Sequence, residues 1–426
     1  MINPRIANIA RDHRSGAQSG ITSVCTAHPL VIEAALLQGK DAGTDVLIEA
    51  TCNQVNHEGG YTGMTPADFR RFVGDIAGRV GFDTDRLIFG GDHLGPNPWK
   101  HLPAEEAMAR AAAMVDAYAK AGFTKIHLDT SMGCAGENIA LTDEMTAERA
   151  AHLAKVAEAG SGDTGTSPVY VIGTEVPVPG GALESIDHLE VTSPEAALKT
   201  VDVHRQAFAA AGVSHAFERA VGVVVQPGVE FGNANVVGYD REKARSLSAA
   251  LSDMPQFVFE AHSTDYQSAD ALRALVQDGF AILKVGPWLT FAIRETLYGL
   301  DHIAQVLEPT FAEHGLIAAM EKLMLHEPQH WQKYYHGSAS DLRLQRHFSY
   351  SDRIRYYWPH AEAQAAVDRL LSMLDGRSIP ETLVSQYLGA LYPLVSEGQA
   401  ALDARSLQIA AVRRVLDLYA RACFRN

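Results

Sequence analysis

Asp92 and His93 stand side by side just after the short apolar run Leu87-Ile88-Phe89, inside Gly90-Gly91-Asp92-His93-Leu94-Gly95-Pro96-Asn97-Pro98-Trp99. A carboxylate that can move protons and an imidazole that can bind a metal are thereby mounted together, where a buried strand gives way to glycines and prolines and is expected to stop. Taken alone, the pair could equally be a turn-capping aspartate and a structural histidine. Two further apolar runs end in the same way. Val223-Val224-Val225 leads to Gln226-Pro227-Gly228-Val229-Glu230, and Phe257-Val258-Phe259 to Glu260-Ala261-His262-Ser263. A divalent ion held by His93, Glu230 and His262, with Glu175 as a fourth ligand, would keep positions open for substrate oxygens and act as a Lewis acid on a ketone. Asp92, beside one ligand, would move a proton on the hydroxyl at the breaking bond. Mixed nitrogen and oxygen donors suit zinc first, with manganese, nickel and cobalt as alternatives.

Such residues need a rigid frame, and the chain supplies one. Strand-like runs recur at Ile21 to His28, Val46 to Thr51, Leu87 to Phe89, Lys125 to Thr130, Val169 to Glu175, Val221 to Val225, Phe257 to Phe259 and Ala281 to Gly286. Helical patterns fill nearly every gap, as at Leu30 to Leu37, Ser193 to Ala211 and Ser268 to Gln277. Eight near-continuous apolar strands alternating with helices describe a parallel sheet buried on both faces, and that count closes an α/β fold of the (β/α)8 TIM-barrel type. A doubly wound open sheet is the alternative, but no G-x-G-x-x-G follows the first strand. In a barrel, reactive groups gather where the strands end. Here those ends carry His28, Gln54, Asp92-His93, Asp129, Glu175, Glu230, His262 and Lys284.

From about Leu307 the strand pattern stops and a helical, aromatic-rich extension follows. The expected division is a barrel over residues 1–306 carrying the metal site, and a helical C-terminal region over 307–426 packed near the barrel mouth. Two stretches outside the strands could meet a ligand. The glycine-rich loop from Cys52 to Gly63, with Asn53 and Gln54, could close over a sugar or be an ordinary surface loop. Arg353 and Arg355 in Asp352-Arg353-Ile354-Arg355 could capture a phosphate or form a packed ion pair.

The balance of 36 basic against 51 acidic residues, a formal charge of −15, argues against a nucleic-acid partner and requires a local cation cluster for any anionic substrate. Four cysteines, Cys25, Cys52, Cys134 and Cys423, show no C-x-x-C spacing, which fits a reducing cytoplasm. No run approaches the length of a bilayer span, and residues 1–20 lack the apolar core of a leader, so neither a membrane nor secretion is expected.

Several motifs add a resemblance. Ile48-Glu49-Ala50-Thr51, Asn53-Gln54-Val55-Asn56, Gly59-Gly60-Tyr61-Thr62-Gly63-Met64-Thr65-Pro66, Gly91-Asp92-His93-Leu94-Gly95-Pro96-Asn97-Pro98-Trp99 and Ser351-Asp352-Arg353-Ile354-Arg355-Tyr356-Tyr357-Trp358 resemble the GatZ/KbaZ family over almost the whole chain. That family includes accessory subunits of class II tagatose-1,6-bisphosphate aldolase, proteins once labelled tagatose-6-phosphate kinases, and hexulose and hexulose-phosphate 4-epimerases. It is distantly similar to class II bisphosphate aldolases. By that likeness Asp92 matches their proton-transferring aspartate, His93 and His262 their zinc ligands, and Glu175 their assisting glutamate, while Glu230 stands where the aldolases have a histidine.

The resemblance implies a metal-dependent epimerase that interconverts D-tagatose 6-phosphate and D-fructose 6-phosphate in ketohexose catabolism. C4 is β to the C2 ketone, so the expected route is retro-aldol cleavage of C3–C4, rotation of the aldehyde and re-addition. Asp92 and Glu175 are the expected catalytic residues; His93, Glu230 and His262 the metal ligands; Asn53, Gln54, Asp129, Ser263, Lys284, Arg353 and Arg355 the substrate contacts. The alternative is a non-catalytic stabilising subunit of a class II D-tagatose-1,6-bisphosphate aldolase, with the aldolase chain as partner. Otherwise a homo-oligomer is expected. A kinase is disfavoured, because no G-x-x-x-x-G-K-[ST] loop is present.

Overall fold

Eight parallel strands form a closed ring in the computed structural model, which describes residues 3–17, 19–162, 165, 167–174 and 189–424. They are β1 (Ile21–Cys25), β2 (Val46–Thr51), β3 (Leu87–Leu94), β4 (Lys125–Leu128), β5 (Val169–Ile172), β6 (Ala220–Val225), β7 (Val258–Ala261) and β8 (Ile282–Val285). Each strand pairs with the next, and β8 pairs with β1 to close the ring. A helix follows every strand: α1 (Pro29–Ala42), α2 (Pro66–Val80), α3 (Ala104–Lys120), α4 (Asp143–Gly162), α5 (Pro194–Ala210), α6 (Arg241–Ala249), α7 (Ala269–Gln277) and α8 (Pro287–Leu307). This is the (β/α)8 barrel expected from the alternation of apolar runs and helical patterns. Local signals set the helix ends. In α2, Thr65 and Asp68 form a reciprocal capping box, Pro66 takes the first turn, and Gly81 closes the helix in the left-handed region at φ 65°.

One strand differs from expectation. The glycines after Phe89 do not end β3, which continues through Gly90, Gly91, Asp92 and His93 to Leu94. Its register against β4 shifts between Gly91 and Leu94, and His93 takes a φ of 50°. The glycines therefore mark a close approach and an irregularity within a strand. Gly90 lies opposite Glu49 in the β2–β3 register, and a Cβ there would come within 2.5 Å of the Glu49 side chain. Gly95 is tighter still, because a Cβ would meet the Asp129 carbonyl oxygen at 1.6 Å.

The barrel interior is layered. At its N-terminal end Ile6, Ile9 and Ala10 pack against Ile21, Leu47, Ile88, Val169, Val221, Val258 and Ile282, making a dry apolar floor. Above it the inward positions turn charged, with Glu49, Lys125 and Glu260 fully buried. Nearer the mouth come Asp92, His93, His127, Asp129 and His262, all buried. Alternation puts Lys125 with His127 and Glu260 with His262 on the inner face, and the irregularity at His93 lets it join its neighbour Asp92 there.

Beyond α8 the chain forms α9 (Leu316–His326), α10 (Ala339–Phe348), α11 (Ala361–Leu374) and α12 (Ala404–Cys423), with shorter helices between them. The segment Arg353–Tyr357 is a short 3₁₀ helix, and Arg355, Tyr356 and Trp358 reach the cavity at the mouth. The last helix, α12, instead returns to the outside of the barrel and packs on α1, α7 and α8. Arg405 pairs with Glu33, Arg413 with Asp41, and the Cys423 carbonyl accepts the Gly20 N–H. Among the described residues no helix is long and apolar enough to cross a membrane.

Candidate active site

Three imidazoles and one carboxylate converge at the mouth. Asp92 and His93 come from the end of β3, His127 from β4, and His262 from just after β7. One ligand-type atom from each lies within 4.8 Å of the others. Neighbouring carboxylates orient the rings. His93 Nδ1 lies 2.7 Å from Asp129 Oδ2, His262 Nε2 lies 3.0 Å from Glu260 Oε1, and His127 Nδ1 lies 3.0 Å from Asp92 Oδ1. The His93 backbone N–H also reaches His127 Nδ1 at 3.2 Å, and His127 Nε2 is a buried atom that has no hydrogen-bond partner among the described residues. Oriented imidazoles with a free nitrogen are what a transition-type divalent cation requires.

Beneath this cluster two ammonium groups bridge the acids. Lys125 Nζ lies 2.7 Å from both Glu49 and Glu260, and Lys284 Nζ lies 2.8 Å from Glu49 and 2.6 Å from Asp92. Burial disfavours the charged form of Asp92, but Lys284, His93 and His127 outweigh it and hold the carboxyl well below the usual range. Burial likewise acts against Lys284, and Asp92 with Glu49 and Glu260 keeps it well above the ordinary lysine value. Burial pushes His262 down to about 4, so this imidazole is neutral and available as a ligand. Asp92, Asp129, Glu49 and Glu260 against Lys125 and Lys284 leave two negative charges when the imidazoles are neutral. A divalent cation among the histidines would balance them.

Above the cluster opens a cavity of about 600 Å³ whose wall includes Asp92, His93, His262, Lys284 and Arg355. Its size lies within the range of small-molecule sites.

The family described as D-tagatose-1,6-bisphosphate aldolase subunit GatZ/KbaZ-like matches residues 6–424. The chain belongs to the GatZ/KbaZ-like family. The D-tagatose 6-phosphate 4-epimerase of Agrobacterium fabrum (strain C58 / ATCC 33970) is 57% identical over 415 residues, which is 97% of each chain. A crystal structure described as that of a probable tagatose 6 phosphate kinase from Sinorhizobium meliloti 1021 matches with a TM-score of 0.89 and 62% identity, covering 95% of this chain and 100% of that one.

In this GatZ/KbaZ-like barrel the residues singled out from sequence fall into four groups. Asp92, His93, His262, Asn53, Gln54, Ser263, Lys284 and Arg355 line the same cavity. Asp129 is drawn into the site as the partner of His93. Glu230 and Arg353 are not among the residues lining the cavity, although the Glu230 carboxylate is hydrogen-bonded to Ser263, which is. Strand β6 ends at Val225, and Glu230 is carried five residues further to a small hairpin with Val236–Val237. There its carboxylate accepts the Phe231 N–H at 3.0 Å, and it is not one of the clustered ligand residues. Burial pushes Glu230 up to about 7. Arg353 stacks on Tyr334 with its guanidinium 3.3 Å from the ring centroid and donates to the His330 carbonyl, so its charge is used in packing. Glu175 lies outside the described residues.

The third imidazole, His127, was missed by the sequence reading, as were Glu49, Lys125 and Glu260. A signal was present in β4. Lys125, His127 and Asp129 are spaced by two, which puts them on one face of a strand, and three polar residues on the inner face of a barrel strand mark the site layer.

Proposed function

We propose that the protein is a carbohydrate epimerase that interconverts D-tagatose 6-phosphate and D-fructose 6-phosphate by retro-aldol and aldol chemistry at C3–C4. The observation that carries the reading is the buried cluster of Asp92, His93, His127 and His262, opening on a cavity that Arg355 also lines. The name of the 57% identical Agrobacterium relative supports the substrate pair. His93, His127 and His262 would hold a divalent ion, with zinc as the assigned metal and manganese, nickel or cobalt as alternatives. Bound there, the ion supplies Lewis acidity at a ketone oxygen.

The chain's own residues do the rest. Asp92, kept ionised by Lys284, takes the C4 hydroxyl proton as the C3–C4 bond opens. Asp129 and Glu260 hold His93 and His262 in one orientation, so that the cluster is arranged before substrate arrives. Arg355 anchors the phosphate while the aldehyde end turns. Its guanidinium already donates to the Ser351 and Asp352 carbonyls and to the Tyr356 hydroxyl, which fixes it at the wall and leaves further N–H groups for an anion. Asn53, Gln54, Ser263 and Lys284 complete the sugar-facing wall. Glu175 is retained as a second catalytic candidate on sequence grounds alone. Four unpaired cysteines fit a cytoplasmic enzyme.

A second reading, a non-catalytic stabilising subunit of a class II D-tagatose-1,6-bisphosphate aldolase, is favoured by the description of the family itself. The kinase named for the Sinorhizobium relative finds no phosphate loop in this sequence. Incubation of the purified protein alone with D-tagatose 6-phosphate, without ATP or an aldolase chain, separates all three. The epimerase forms D-fructose 6-phosphate to equilibrium. In deuterated water that product carries no deuterium at C4, because the C4 hydrogen stays on the aldehyde. An inert protein that raises the activity or lifetime of an aldolase would establish the accessory reading instead.

A further inference from the structure

An epimerisation that cleaves C3–C4 has a geometric demand that a single carboxylate does not meet. The two epimers carry O4 on opposite sides of C4, so with the three-carbon fragment held still, the proton must leave one side of the site and return on the other. Asp92 ends β3. In the closed ring β7 lies four strands away from β3, on the opposite wall.

On the proposed reading of the site as a 4-epimerase, we infer that Asp265, in the loop after β7, is the second acid/base residue, serving the face of C4 that Asp92 does not reach. Asp265 lines the same cavity as Asp92 and is 2% exposed. Its Oδ1 accepts the N–H groups of Gly286 at 3.0 Å and Trp288 at 2.8 Å, at the start of α8, so the carboxyl is held by rigid backbone. Fixed placement is what a proton-transfer group needs. Burial raises its pKa to about 6, against the pull of the Trp288 and Gly286 N–H groups and of Arg355, so near neutrality both of its protonation states are accessible. No step assigned above uses this buried acid.

The balance is complete with the two carboxyl groups alone. In one direction Asp92 removes the O4 proton, the C3–C4 pair of electrons passes to the C1–C3 fragment as an enediolate, and C4 becomes the aldehyde of D-glyceraldehyde 3-phosphate. After the aldehyde turns, the enediolate carbon C3 bonds to the other face of C4 and the new alkoxide takes the proton of Asp265. The reverse reaction exchanges the two roles. Proton exchange with solvent returns both groups to their starting states, and no oxidant or co-reactant is consumed.

The test supplies free dihydroxyacetone and D-glyceraldehyde 3-phosphate to wild type and to Asp265→Asn, and resolves the two ketohexose 6-phosphates formed. Asn keeps an oxygen for the α8 N–H groups; Asp265→Ser, a second helix-capping residue without a carboxyl, is run beside it. Metal content and melting temperature are measured for all three proteins. The wild type should make both epimers. The variants should make one epimer at a rate within about threefold of wild type, and should interconvert the two about 10²-fold more slowly or worse. Near wild-type interconversion would overturn the inference. So would equal loss of both epimers at unchanged metal content and melting temperature, or one-epimer synthesis produced by Tyr356→Phe instead. A wild type that interconverts the sugars but cannot join the fragments refutes the cleavage route and this role for Asp265. A wild type that does neither refutes the proposed function itself.

Discussion

Replacing Lys125 with Met tests whether the charged layer under the site is held by that one ammonium. Lys125 is fully buried and its Nζ lies 2.7 Å from Glu49 and from Glu260. Methionine fills much of the stem volume, so the change is chiefly electrostatic. At an effective dielectric constant of about 20, each contact at this distance is worth roughly 6 kcal/mol of attraction. The ammonium's desolvation cost, recovered on its removal, offsets much of the total. What remains is two buried carboxylates sharing Lys284, which already serves Asp92. Removing one partner of a buried pair costs about 3–5 kcal/mol, and that is the expected loss in urea unfolding at pH 7. The deficit should shrink as pH falls and the stranded carboxylates take up protons. Glu260→Gln in the Lys125→Met background should recover part of the loss, so the double variant is less destabilised than the sum of the singles. A loss under about 1 kcal/mol, or strict additivity, would refute the reasoning, because Lys125 would then be replaceable by an apolar side chain at no electrostatic cost.

The other expectations separate residues that look alike in sequence. His127→Ala should lower the bound divalent metal measured by elemental analysis to well below one equivalent, while Glu230→Gln keeps it; the reverse result would restore Glu230 as the ligand. Arg355→Met should raise KM for the phosphorylated sugar by about 10-fold or more and leave the free sugar little changed, whereas Arg353→Met should alter stability but not that ratio. Burial raises Asp352 to about 7 from 3.8, so the folded protein retains a proton that the unfolded chain releases. Its contribution to stability therefore falls as pH rises between about 4 and 7. Asp352 has a φ of 46°, which asparagine tolerates, and Asp352→Asn should gain up to about 3 kcal/mol relative to wild type between pH 5 and pH 8. A pH-independent difference in thermal or urea unfolding would count against that account.

Period and punctuation in the chain are local properties, and they were enough to specify the barrel. Eight apolar runs separated by helical patterns place eight strands, and the end of each strand then identifies Asp92, His93, His262 and Lys284 as neighbours. The motif around Gly91-Asp92-His93 carried the family for the same reason, since it is contiguous. What the chain order could not decide is which inward residues meet. Glu230 and His127 both lie near strand ends, but the four residues after Val225 carry Glu230 onto a hairpin, whereas His127 sits within β4 beside β3. Arg353 and Arg355 are two residues apart, yet one stacks on Tyr334 and the other lines the cavity. The charged layer of Glu49, Lys125, Glu260 and Lys284 draws on four strands separated by up to 235 residues. Contacts of that kind arise only when the ring closes, because closure brings distant strands to one axis and the burial it imposes forces each charge to find a partner there.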